Sequence, residues 1–260
     1  MPQHVEYEIR DFVAHLRLNR PPVNALNSEL IAELHELAGR VNRDAEAGTV
    51  RVAILSARGK HFCAGADLKE RRGVPEDQVE AMVNRTRAMT TALAQISVPF
   101  IAAIHGTAVG GGMEVALAAD IRVLADSAKM GLRETALAII PGAGGTQRLP
   151  RLIGESAAVY WITSARVFSA AECEKYGVAN FVVPEAELMT KAESIAAEIA
   201  ANGPLAVRAA KEAIVRGRDA SSEDGLKIEQ ECYRKIIPTH DRVEALQAFQ
   251  EKRPPQFRGE

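Results

Sequence analysis

Three glycines and two glutamates are the residues best suited to chemistry. The run Gly106-Thr107-Ala108-Val109-Gly110-Gly111-Gly112-Met113-Glu114 follows an apolar stretch and leads into another. Glycine lets backbone N–H groups come close to a ligand atom. The first N–H groups of a helix starting near Gly111 or Gly112 would be unsatisfied and would face the positive end of its dipole. That combination suits an anion or a developing oxyanion, and a tight turn packing a helix onto a strand would use the same glycines. No Gly-Lys-Ser/Thr follows, so the run is not a P-loop, and it is not Gly-x-Gly-x-x-Gly.

Glu114 opens the helix, and Val115-Ala116-Leu117-Ala118-Ala119 after it is entirely apolar. A carboxylate in such surroundings has its pKa raised toward neutrality, which fits it for proton transfer. A first-turn glutamate that only complements the dipole is the plainer reading, and the apolar neighbours weigh against it. Glu134 lies before a second apolar stretch and a second glycine turn, Pro141-Gly142-Ala143-Gly144-Gly145-Thr146. Alone it reads as a surface glutamate paired with Arg133. Meeting Glu114 in one cleft, it would complete an acid/base pair for adding or removing a small molecule such as water.

A third loop, Gly59-Lys60-His61-Phe62-Cys63-Ala64-Gly65-Ala66-Asp67-Leu68-Lys69, has the same small-residue character. Cys63 beside His61 suggests a nucleophile, but no third orienting group is evident, so an inert buried thiol is expected. His105 is expected to be a packed core histidine. No His/Cys/Asp/Glu cluster has metal-ligand spacing, so no metal is expected.

The elements that must position these residues follow from periodicity. Val5, Tyr7 and Ile9, then Leu16 and Leu18, alternate with polar residues as two strands turning at Arg10-Asp11. A helix capped by Asn27 or Ser28 carries Leu30, Leu34, Leu37 and Val41 on one face. Val52–Leu55, Phe100–Ile104 and Ile121–Leu124 are apolar runs of buried-strand length. Between the first two, an amphipathic helix carries Val79, Met82, Val83, Thr86, Met89, Leu93 and Ile96 and stops before Pro99. Residues from Pro204 onward read as three helices (Pro204–Arg218, Ser222–Ile236, Thr239–Lys252), a tail built to dock on something. This order predicts an α/β or spiral β/α core.

The chain has 260 residues, enough for one large domain, or one with an appendage. With 32 basic and 34 acidic side chains, it lacks the positive surplus that binding to a phosphate backbone requires. The three cysteines, Cys63, Cys173 and Cys232, suggest a reducing compartment without a disulfide framework. Met1–Leu18 lacks the pattern of a signal or transit peptide, and the most apolar window, Val98–Ala119, is broken by Pro99, His105, Glu114 and four glycines. A soluble, cytoplasmic protein that engages neither membrane nor nucleic acid is expected.

Taken together, Phe62-Cys63-Ala64-Gly65-Ala66-Asp67-Leu68-Lys69, Gly110-Gly111-Gly112-Met113-Glu114 and Ile140-Pro141-Gly142-Ala143-Gly144-Gly145-Thr146-Gln147-Arg148-Leu149 resemble the enoyl-CoA hydratase/isomerase (crotonase) superfamily. The similarity runs from Asn19-Arg20-Pro21 to Glu251-Lys252-Arg253-Pro254-Pro255. It implies an α/β fold, a crotonase-like spiral of ββα turns over residues 1–200 with the active site, and a helical trimerisation region over 201–260. Such proteins form trimers or hexamers (dimers of trimers). The substrate implied is an acyl-CoA, with coenzyme A part of the substrate and no separate cofactor.

By motif position the thioester oxygen would sit between the backbone N–H groups of Ala66 and Gly111. One such donor is typically worth ~3 kcal/mol of barrier. Both carboxylate positions are filled, which implies a hydratase: Glu114 activates the water that attacks C3 and Glu134 protonates C2. The resemblance also implies substrate or CoA contacts at Val23 and Ala25 (segment Pro22–Ala25), Ala64, Asp67, Leu68, Lys69 and Gly110. Phe249 and Lys252 would reach across from a neighbouring subunit.

Asp67-Leu68-Lys69-Glu70-Arg71, Met130–Pro141 and the C-terminal Ile237–Arg242 and Phe249–Pro255 stretches are similar to the 3-methylglutaconyl-CoA hydratases of leucine breakdown. That substrate has a distal carboxylate, for which Lys69, Arg71 and Arg72 are the candidate partners; a solvated basic face would look the same. A general short-chain 2-enoyl-CoA hydratase of fatty-acid oxidation would share every catalytic residue. An AU-rich RNA-binding relative uses a lysine-rich early helix, whereas here Glu29–Arg43 has no lysine, so that activity is not expected.

Overall fold

In the computed structural model, which describes residues 4–260, the alternating segments form the hairpin β1 (Val5–Arg10) and β2 (Val13–Leu18), with Val5 opposite Leu18. Helix α1 (Ser28–Glu46) starts where Asn27 accepts the Leu30 N–H at 3.0 Å, and it buries Leu30, Leu34, Ala38, Val41 and Ala45. Strand β3 (Val52–Ala57) runs parallel to β2. After it come the short helix α2 (Leu68–Arg72) and the long helix α3 (Glu76–Ala94).

Two further turns repeat one unit: a strand in the main sheet, a shorter strand in a second sheet, then a helix. In the first, β4 (Phe100–Ile104) leads to β5 (Thr107–Val109) and α4 (Gly111–Leu117). In the second, β6 (Ile121–Ala125) leads to β7 (Lys129–Gly131), a 3-10 turn at Glu134–Leu137, α5 (Gly145–Ile153) and α6 (Glu155–Thr163). The chain then adds β8 (Phe168–Ser169), α7 (Ala170–Lys175), β9 (Phe181–Val183) and α8 (Leu188–Ala200).

The main sheet has the order β1-β2-β3-β4-β6-β9, parallel except at the first hairpin, and the second sheet has the order β5-β7-β8. Cys63 bridges to Ala108 of β5, so the loop after β3 holds the second-sheet place in its own turn. This is the expected spiral of ββα turns. Strands buried on both faces explain the continuous apolar runs at 52–55 and 100–104.

Helix α3 departs from its expected role. Only Met89, Thr90 and Leu93 in its C-terminal half are buried, whereas Met82, Val83 and Thr86 line an open cleft. Ile96 lies beyond the helix, buried in the following turn.

The last helices are α9 (Pro204–Gly217), α10 (Ser222–Ile236) and α11 (His240–Glu251). Lys211 ties α9 to the core through Asp120 and, at 2.8 Å, the Val98 carbonyl, while Arg51 donates to the Phe257 carbonyl at 2.8 Å. Among the described residues no helix is long and apolar enough to cross a membrane.

Candidate active site

The loop Phe62–Ala66 is laced between two segments. Cys63 N–H donates to the Thr107 carbonyl at 3.0 Å, and Val109 N–H donates back to Cys63 at 3.1 Å. On the other side Ala64 N–H bonds the Val23 carbonyl at 3.0 Å and Leu26 N–H bonds Gly65 at 2.8 Å. The lacing needs missing side chains. A Cβ on Gly112 would lie 2.3 Å from the Cys63 carbonyl oxygen, and one on Gly65, at φ +86°, would lie 2.8 Å from that of Val109.

The first residue of α4 is thereby brought against the loop, so that a Cβ on Gly111 would stand 3.8 Å from Ala66 N. Neither Ala66 N–H nor Gly111 N–H has a protein acceptor among the described residues, and both residues line the same cleft. Two unengaged N–H donors so close together suit an oxyanion.

The carboxylates meet in that cleft. Glu114 is 3% exposed, and its Oε1 accepts the N–H groups of Ala143 at 2.7 Å and Gly145 at 2.9 Å. Burial raises its pKa; those two N–H bonds, then Arg148 and Arg87, pull it partly back.

Glu134 is delivered from the opposite wall by β7, which Gly110 N–H ties to the glycine turn through the Gly131 carbonyl at 2.8 Å. Its Oε2 is buried without a hydrogen-bond partner. Burial, and then the charge of Glu114, push the carboxyl up to about 7. The environments differ in kind: two N–H donors favour the charged form of Glu114, while an unpartnered oxygen suits a proton on Glu134. The surface pairing of Glu134 with Arg133 does not occur, because the 3-10 turn sends the glutamate inward and leaves Arg133 exposed.

The other expected residues divide. Ala64, Leu68 and Gly110 line the cleft with Ala66 and Gly111. Asp67 lines it too, but its carboxylate caps α2 at Lys69 N (3.0 Å) and pairs with Arg20 at 2.8 Å. Of the basic residues after it, Arg71 alone faces the cleft, beside Glu134; Lys69 and Arg72 are exposed on other faces of α2.

Val23 and Ala25 support the loop through their carbonyls, which accept from Ala64 N–H and from Arg20 Nη1 at 2.9 Å. Phe249 and Lys252 lie on and just past α11, Phe249 being 84% exposed. Cys63 is fully buried and its thiol is pushed up to about 12, so it stays protonated and inert.

His105 is not the expected core histidine. It is half-buried where the chain leaves β4, and its Nε2 lies 2.9 Å from the Gly59 carbonyl. Sequence reasoning missed the cleft-facing side of α3, because core and cleft stripes have one helical period.

Among the described residues no group of three or more His, Cys, Asp or Glu is placed to hold a metal ion. What the cleft can do is polarise a carbonyl oxygen at one point and exchange protons from two sides beside it.

Comparison with known proteins identifies the family. The sequence profile of the enoyl-CoA hydratase/isomerase family matches residues 8–260. Human mitochondrial methylglutaconyl-CoA hydratase is 46% identical over 263 residues, covering 99% of this chain and 77% of the human protein. Bovine mitochondrial enoyl-CoA hydratase domain-containing protein 2 is 43% identical, covering 95% and 85% of the two chains. The crystal structure of an enoyl-CoA hydratase from Bacillus anthracis superposes with a TM-score of 0.95 at 48% identity, covering 99% of this chain and 100% of that one. With profile, relatives and fold in agreement, the chain belongs to the enoyl-CoA hydratase/isomerase family.

Proposed function

We propose that the protein adds water across the 2,3 double bond of an enoyl-CoA thioester, and that its preferred substrate is 3-methylglutaconyl-CoA. The thioester oxygen accepts the N–H groups of Ala66 and Gly111. Glu114, ionised, takes a proton from a water whose oxygen bonds to C3. The electron pair of the double bond moves through C2 to the thioester oxygen, and the two N–H groups stabilise the resulting enolate. Glu134 then gives its proton to C2 as the enolate collapses. CoA extends along Ala64 and the Val23–Ala25 segment, toward Phe249 and Lys252 of a neighbouring copy.

The observation that carries the substrate reading is Arg71. It faces the cleft beside both glutamates and enters no ion pair among the described residues. A substrate carboxylate beyond C3 would neutralise it. The similarity to human methylglutaconyl-CoA hydratase supports the same choice.

Arg71→Met should therefore lower kcat/KM for 3-methylglutaconyl-CoA roughly 10–100-fold more than for crotonyl-CoA, the difference a hydrogen bond to a charged group makes. Lys69→Ala and Arg72→Ala should leave the ratio unchanged. Equal losses on both substrates in Arg71→Met would contradict the carboxylate contact and favour a general short-chain hydratase.

We also propose that the protein works as a homotrimer or a dimer of trimers. Leu226, Tyr233, Ile237, Leu246 and Phe249 stand exposed on or beside α10 and α11, large apolar side chains that a neighbouring copy would cover. Light scattering should give three or six times 28.1 kDa; a monomer mass would contradict it.

A further inference from the structure

The turn that grips Glu114 is itself gripped from behind. Arg148, on α5, donates from Nη1 to the Ala143 carbonyl at 2.8 Å and from Nη2 to the Thr90 carbonyl at 3.3 Å. The buried Thr90 hydroxyl donates to the same Ala143 carbonyl at 2.7 Å. Arg87 Nε donates at 3.0 Å to the Gly142 carbonyl, the other end of the peptide unit whose N–H bonds Glu114. Gly144, at φ +109°, makes room: a Cβ there would lie 2.0 Å from Arg148 Nη1.

Arg148 enters no ion pair among the described residues although it is half-buried. Burial pulls its guanidinium below the ordinary arginine range, and the negative charge of Glu114 pushes it back up. Half-buried and donating only to carbonyls, this cation carries a desolvation cost that a nearby anion would offset. Its value lies in the anion on the far side of the turn.

We propose that Arg148 is a positioning residue for Glu114: its two-pronged donation fixes the 143–145 turn in register, and its charge holds the Glu114 carboxylate ionised beside Glu134. The groups facing Glu114 are few. Arg148 comes from α5, Arg87 and Arg85 from α3, and Glu134, Arg71, Asp67 and Glu70 from the other walls, while β5 supplies no charge. Arg87 acts in the same direction as Arg148, but from an exposed position that water screens.

As a statement about hydration this rests on the function proposed above, so the test uses a readout that does not. Infrared difference titration, in a Glu134→Gln background and referenced to the Glu114→Gln/Glu134→Gln double variant, follows ionisation of Glu114 alone. Adding Arg148→Met should raise the midpoint by about one pH unit, the size expected when an opposite charge is lost. Arg148→Lys, which keeps the charge, should stay near the parent. Arg87→Met, exposed and so tolerated by the fold, should raise it by less. Thr90→Val should leave it in place.

With Glu134 intact, Arg148→Met should lower hydration kcat roughly 10–100-fold, the effect of a misplacement near 1 Å, with KM little changed. An unmoved midpoint in Arg148→Met overturns the proposal, as does an equal rise in Arg148→Lys and Arg148→Met. Absence of hydration by the parent enzyme, with the midpoint shift present, would overturn the function and leave the role of Arg148 standing.

Discussion

Glu134→Gln should lose about 10²–10⁴-fold in hydration turnover, the usual worth of a positioned acid or base. The amide keeps the shape of the side chain but cannot deliver a proton to C2. Glu114→Gln should lose as much, because its amide oxygen can still accept from Ala143 and Gly145 but the amide cannot take a proton from water.

The pH profile separates the two. For hydration Glu114 must be ionised and Glu134 protonated, so kcat/KM rises on the acid side as Glu114 loses its proton. It falls above about 7, where the Glu134 carboxyl ionises. The two limbs belong to the coupled pair, not to either residue alone. In Glu134→Gln the residual rate should lose the alkaline limb and keep the acid one. A profile of Glu134→Gln that still falls above neutrality would remove Glu134 from the acid role.

The second large effect is expected at Gly112. Its added Cβ would meet the Cys63 carbonyl oxygen at 2.3 Å and Cys63 Cβ at 2.8 Å. These are backbone and near-backbone atoms of a fully buried residue, so the start of α4 would have to retreat from the Phe62–Ala66 loop. Gly111 N–H would move away from Ala66 N–H, and a single acceptor could no longer reach both.

Gly112→Ala should therefore lose about 10²–10³-fold in kcat, the cost of one oxyanion donor, and about 1–3 kcal/mol of stability from overpacking. Gly39→Ala, in the middle of α1 with only the flexible Arg43 guanidinium at 3.5 Å, should keep full activity and be slightly more stable. Turnover and thermal midpoint measured together decide. A folded, fully active Gly112→Ala would mean that the two N–H groups do not need this approach.

The parts of this site that are legible in the sequence are those whose chemistry is local. Gly110-Gly111-Gly112 before Glu114 marks a turn into a helix with a carboxylate in its first turn, because the turn, the helix start and the apolar helix are contiguous. The main-sheet strands are legible for the same reason, as continuous apolar runs.

Where tertiary placement decides, the sequence is silent. Strands β5, β7 and β8 have three residues or fewer, too short for any period to emerge. Met82 and Val83 carry the same helical stripe as Met89 and Leu93, yet one half of the helix faces a cleft and the other the core. Lys69, Arg71 and Arg72 are equivalent on the page, and only the phase of α2 selects Arg71. Arg148 reads as one more basic residue of a helix until the fold sets its guanidinium behind the turn that holds Glu114.

Addition of water to an enoyl-CoA by two backbone N–H groups and a pair of glutamates is the core of the proposed function. Its most direct test is steady-state hydration of crotonyl-CoA and 3-methylglutaconyl-CoA by the purified protein, followed by loss of the conjugated thioester's ultraviolet absorbance. Turnover of both, with the larger kcat/KM for the dicarboxylic substrate, is expected; no loss of absorbance with either would contradict hydration by this site.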